Sequence, residues 1–121
     1  IKIKGKGNGE VILTGLTEYL TFHVATPVAS TNYLFDIAYQ NYTIESVKYV
    51  AGTASGTPGA KLQIGNGDVT NSASGAITTA GVTVTPTGAN TLVENSLLSL
   101  YVTSLGTGLT DLIVKVKLRR T

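Results

Sequence analysis

The chain has 121 residues, 42% of them hydrophobic and 13% charged, with a mean hydropathy of +0.21; this is too apolar for an intrinsically disordered chain and the right size for one domain. Its net charge is +2, and five of its nine basic residues (Lys2, Lys4, Lys6, Arg119 and Arg120) sit at the two ends, which predicts no broad nucleic-acid footprint. No cysteine is present, excluding disulfides, thiol nucleophiles and thiolate metal sites, and no run approaches the roughly 20 apolar residues of a membrane-spanning helix.

From the N-terminus, Ile1-Lys2-Ile3-Lys4 alternates apolar and basic residues and runs into Gly5-Lys6-Gly7-Asn8-Gly9, where glycine entropy opposes regular structure. Residues 1–9 therefore read as an edge strand or flexible arm with a hinge, ahead of a single domain over 10–121. A start at Ile1 in a chain without methionine leads us to expect a segment upstream of it. Glu10 to Thr14 is a β-branched run. Glu18 to Ala25 has the period of two of a half-buried strand, with Leu20, Phe22 and Val24 on one face and Tyr19, Thr21 and His23 on the other. Pro27 follows, and proline cannot donate to a ladder.

Further strands are predicted over Tyr33 to Ala38 and Tyr42 to Val50. In the second, Ile44, Val47 and Val50 do not fit one alternation, which points to a bulge. Ala51 to Ala60 reads as a loop by composition, Lys61 to Ile64 as a short strand, and Gly65-Asn66-Gly67-Asp68 as a turn in which Asn-Gly favours positive φ. Asp68 to Gly81 reads as a long surface loop, Val82 to Pro86 as a strand, and Thr91 to Ser96 as one helical turn. Leu98, Leu100 and Val102 mark one face of a strand over Leu97 to Ser104. After the turn at Gly106-Thr107-Gly108, Leu112, Val114, Val116 and Leu118 alternate with Ile113, Lys115, Lys117 and Arg119. Seven or eight short strands with no sustained helical period predict an all-β fold, an antiparallel β-sandwich of jelly-roll-like topology.

The residue types that perform chemistry are sparse. His23, the sole histidine, lies on the polar side of its strand, and without cysteine the chain cannot assemble three nitrogen or sulfur ligands for zinc. A Ser-His-Asp triad lacks a Gly-x-Ser-x-Gly elbow, and Ser55 in Thr-Ala-Ser-Gly-Thr reads as loop. The seven acids (Glu10, Glu18, Asp36, Glu45, Asp68, Glu94 and Asp111) are isolated in sequence, so no glycosidase pair is visible. Asn66 and Asp68 offer hard oxygens but lack the alternating acidic pattern of a calcium loop. Gly5 to Gly9 lacks the Gly-Lys-Ser/Thr ending of a phosphate loop. We therefore expect no enzyme, no metal and no cofactor. Six tyrosines against two phenylalanines suit surfaces that are apolar in body and polar at the tip. Tyr33, Tyr39, Tyr42 and Tyr49, with Ile1 and Ile3 of the N-terminal strand, are the candidate interface residues.

The Gly- and Thr-rich loop leading to Lys61-Leu62-Gln63-Ile64-Gly65-Asn66-Gly67, together with the closing strands Asn95 to Ser104 and Asp111 to Leu118, resembles the jelly-roll modules of tailed-bacteriophage head-decoration, head-fibre and tail-fibre proteins. The likeness covers about half of the chain and is one of style, so it transfers no functional residues. It implies a non-enzymatic virion protein, a homo-oligomer and most simply a trimer, that contacts capsid or tail proteins; the charge distribution and the absence of a long apolar run lead us to expect neither a nucleic-acid nor a membrane partner. The alternative is a glycan- or receptor-binding module, marked by a concave face with two or more exposed aromatics beside Asn or Asp.

Overall fold

The computed structural model describes residues 2–5 and 11–121, with residues 2–5 and 11–14 described by their backbone. In chain order its strands are β1 (Lys2–Gly5), β2 (Val11–Thr14), β3 (Thr17–Val24), β4 (Thr31–Ile37), β5 (Tyr42–Ser55), β6 (Gly59–Ile64), β7 (Gly67–Asp68), β8 (Val82–Val84), β9 (Thr91–Leu92), β10 (Leu97–Ser104) and β11 (Gly108–Arg120). One sheet runs β4-β10-β6-β7 and the other β3-β11-β5-β8, with β9 also paired to β5; every pairing is antiparallel. The two sheets pack face to face as a β-sandwich, and the chain crosses repeatedly from one to the other, as in a jelly roll.

Alternation builds this fold. Leu98, Leu100 and Val102 of β10 and Leu112, Val114, Val116 and Leu118 of β11 are all buried, and they meet Leu20, Phe22 and Val24 of β3 across one core. At the open side of the sandwich Phe22 of β3 and Phe35 of β4 close the layer edge to face, with ring centroids 4.8 Å apart. The expected bulge lies in β5. Lys117 pairs with Ser46 but Leu118 with Ile44, so Glu45 is the extra residue, and the inward set shifts from Tyr42 and Ile44 to Val47, Tyr49 and Ala51.

The structure departs from the sequence reading at four places. β5 does not stop at Val50 but runs on to Ser55, because Ala51, Thr53 and Ala54 pair with Leu112, Thr110 and Leu109; ladder bonds to β11 outweigh their weak strand propensity. The loop left between β5 and β6 is Gly56 to Pro58. Thr91 to Ser96 is no helical turn: β9 occupies its first two residues, and Ser96 then donates to the Val93 carbonyl in a tight turn. The Asp68 to Gly81 segment is irregular as expected, yet Val69, Ser72, Ser74 and Ile77 are buried, so it folds back as part of the core. Finally, the described residues form eleven strands, because β7 and β9, of two residues each, are too short to register as alternation.

At the N-terminus the expected edge strand forms as β1 and pairs with β2 of the same chain in a separate two-stranded sheet, with Ile3 opposite Leu13. The Gly15 amide donates to the Arg120 carbonyl and the Arg120 amide to that of Leu16, tying this hairpin to the end of β11. Ile1 and most of the expected hinge, residues 6–9, lie outside the described residues.

Candidate interaction surface

The four candidate tyrosines have four different fates. Tyr49 points into the core, fully buried, and its phenol donates to the Ser72 carbonyl; burial raises its pKa far above the ordinary value. Tyr42 is also buried on the inward phase of β5. Its phenol donates to Glu18 Oε2 at 2.9 Å, and burial first, then this carboxylate, raises its pKa. Tyr33 is half-buried against the core, with its hydroxyl accepting the Val28 amide at 2.9 Å. Only Tyr39, 81% exposed, presents its ring to the outside. The inward turn of Tyr42 and Tyr49 follows from the bulge at Glu45, which their spacing in sequence does not reveal.

Around Tyr39 the structure gathers apolar side chains that the sequence reading did not single out. Ile37 on β4 lies directly opposite Leu97 on β10, and Leu34 opposite Ser99 one step along the same outer face; Leu34 is 60% exposed and the other two leave much of their surface uncovered. Val93, also exposed, joins them because Asn95 donates to the Ala38 carbonyl and Glu94 to Asn41 Oδ1, holding the β9–β10 turn against residues 38–41. Large apolar groups adjacent on a surface mark contact sites. Behind them the sandwich opens into a pocket of about 230 Å³ floored by Leu20, Leu92, Leu98 and Leu118 and edged by Glu18, Asp36, Tyr39 and Tyr42.

The chemistry-bearing residues lie elsewhere. His23 Nε2 and Asp111 Oδ1 meet at 3.1 Å, a pairing that separation by 88 positions hides, but both side chains are more than half exposed. The pair sits on open sheet surface, and no hydroxyl is hydrogen-bonded to the ring among the described residues. Gly65 and Asn66 form the turn between β6 and β7, and the positive φ falls on Gly65 rather than within the Asn-Gly pair. Asp68 accepts from Gln63 Nε2 at 2.8 Å and from Lys61 Nζ at 2.9 Å, so its oxygens staple the hairpin. These two donors lower the Asp68 pKa, Gln63 having the larger effect. The contribution is present above the ordinary carboxyl value and is lost as pH falls through the depressed one. An NMR pH titration is expected to place the Asp68 midpoint below 3.8, and Gln63→Ala is expected to move it back toward that value. No group of three or more metal-binding side chains converges among the described residues.

One further surface was illegible in sequence. On the outer face of the β3–β11–β5 sheet, Lys115 lies between Thr21 and Lys48, Lys117 between Tyr19 and Ser46, and Arg119 between Thr17 and Thr43. Lys48 is thus brought beside cations 67 or more positions away in the chain, and a basic face results. Lys115 Nζ lies 5.8 Å from the centroid of the Tyr19 ring, within cation–π range. A scan against protein-family models and a search of curated proteins both find no match to this chain.

Proposed function

We propose that the chain is a non-enzymatic structural protein of a bacteriophage particle, a capsid-decoration or fibre module that self-associates as a closed oligomer, most simply a trimer, and works through contacts with other virion proteins. The observation that carries the contact role is the exposed apolar group Leu34, Ile37, Tyr39, Val93 and Leu97 at one end of the sandwich. Leaving it in water is unfavourable, and covering each large side chain is worth about 1.5–3 kcal/mol. The placement of His23 and Asp111 in solvent, away from the pocket, is what a scaffold with no catalytic task would tolerate. The virion setting and the trimer come from the resemblance of the closing strands.

The double variant Ile37→Ser/Leu97→Ser is expected to weaken self-association at least tenfold in sedimentation velocity, with its circular dichroism unchanged because both side chains already face solvent. Undiminished association would remove this surface from the contact.

The end pocket favours a second reading. Tyr39 beside the Asp36 and Glu18 carboxylates supplies one of the two exposed rings expected of such a face, together with two acceptors. Saturable chemical-shift changes at Ala38 and Leu20 on titration with neutral monosaccharides would support it.

A further inference from the structure

The apolar end and the basic face together carry a more specific statement about how copies meet, which rests on the assembly reading above. We infer that neighbouring copies associate through unlike surfaces, with the basic outer face of the β3–β11–β5 sheet of one copy set against the acidic, apolar end of the next.

The basic face breaks a rule of sheet design. Lys48 and Lys115 are direct cross-strand partners, and like charges in that position are destabilising. Among the described residues, the register places Thr21, Thr83, Ser46 and Tyr19 around them, with no carboxylate directly opposite either lysine. Asp111, on the same strand, is engaged by His23. Between the two lysines lies an open depression of about 240 Å³ whose other walls are Val50 and Ile113, and Ile113 is one of the exposed apolar residues. A partner suited to it carries carboxylates next to apolar groups.

The adjoining end of the sandwich, where Leu118 pairs with Glu18 next to Arg119, presents that combination. Glu18 and Asp36 edge the pocket, Glu94 lies in the β9–β10 turn, and Ile37, Tyr39, Val93 and Leu97 stand among them; Arg120, next to Tyr42, is the counter-charge there. Pairing like surfaces would oppose four cations in one case or three carboxylates in the other, so a two-fold contact through either patch is disfavoured. Contact between unlike patches is heterologous. Such contacts close into rings when the rotation between copies permits.

Sedimentation velocity of the full chain at low and high salt, combined with charge reversal, tests this. Raising NaCl from 50 to 500 mM is expected to weaken association at least tenfold. Lys48→Glu/Lys115→Glu and Asp36→Lys/Glu94→Lys are each expected to dissociate the oligomer, and the chain carrying all four substitutions to reassemble, because the attraction is restored with its sign inverted. An oligomer indifferent to salt and to both charge reversals would overturn the inference while leaving assembly itself standing, and so would a folded four-substitution chain that stays dissociated. A wild-type chain that is monomeric throughout would overturn the assembly reading as well.

Discussion

Replacing Tyr49 with phenylalanine is expected to destabilise the fold by about 1–3 kcal/mol, and replacing it with alanine by about 3–5 kcal/mol. The phenol is fully buried at the centre of β5, and its proton goes to the carbonyl of Ser72, in the irregular segment that folds over the core. That segment has no ladder of its own. Besides the Tyr49 bond, it is held by isolated bridges from Ser74 to Ala60 and from Thr70 to Gly88, by the Ser72 hydroxyl, which accepts the Leu62 amide at 3.0 Å, and by Val69 and Ile77 packed inside. Phenylalanine keeps the volume and leaves a buried carbonyl without its donor, whereas alanine adds a cavity. Urea denaturation read by circular dichroism measures both, and a phenylalanine variant within about 0.5 kcal/mol of the parent would contradict the account. A pH dependence accompanies it. Because burial raises the folded-state pKa above the ordinary tyrosine value of 10.0, the stabilising contribution is complete below about pH 10 and is lost as pH climbs above it, when the unfolded chain ionises first. Tyr42 acts in the same direction. The phenylalanine variant is expected to show a shallower loss of stability above pH 10.

Gly106→Ala is expected to cost about 2–4 kcal/mol, with Gly65→Ala as its control at about 1–2 kcal/mol. Both glycines adopt left-handed backbone, with φ of 59° and 61°. Their surroundings differ. A Cβ on Gly106 would lie 2.5 Å from the Ser55 carbonyl oxygen and 2.9 Å from the backbone nitrogens of Thr57 and Pro58, whereas one on Gly65 would meet nothing within 4 Å. The Gly65 variant therefore isolates the conformational cost, and the Gly106 variant adds a clash with backbone that cannot rotate away. At Gly106 the β5–β6 and β10–β11 connections touch, with Thr107 donating to the Ser55 carbonyl at 3.0 Å. Thermal unfolding is expected to show a midpoint drop two or more times larger for Gly106→Ala. Equal drops would mean that the two connections separate at little cost.

The parts of the fold legible in sequence are those in which one strand's two faces differ chemically. β3, β10 and β11 alternate so regularly that their inward residues can be read directly, and the structure buries or half-buries those residues. β5 was legible only in part. Its broken alternation signals the bulge, but the continuation from Ala51 to Ser55 depends on a neighbour, β11, that no local pattern names. The burial of Ser72 and Ile77 was hidden for the same reason, since a stretch of Ser, Thr, Ala and Gly looks like surface until a buried phenol needs its carbonyl.

The candidate surface was less legible than the fold. The tyrosine content points to Tyr39, but Tyr42 and Tyr49 turn inward once Glu45 is bulged out. The apolar neighbours of Tyr39 come from β4, β10 and the turn before β10, so their adjacency is a property of register. The basic face follows the same logic. Counting charges along the chain places most cations at its ends, whereas pairing β5 with β11 sets Lys48 beside Lys115.

Sedimentation equilibrium of the unmodified chain over a wide concentration range tests the central claim most directly. A mass that approaches a fixed small multiple of 12.5 kDa, and stays there as concentration rises further, is the result expected of a domain whose exposed apolar end is covered by other copies. A mass of one chain at every concentration would contradict it.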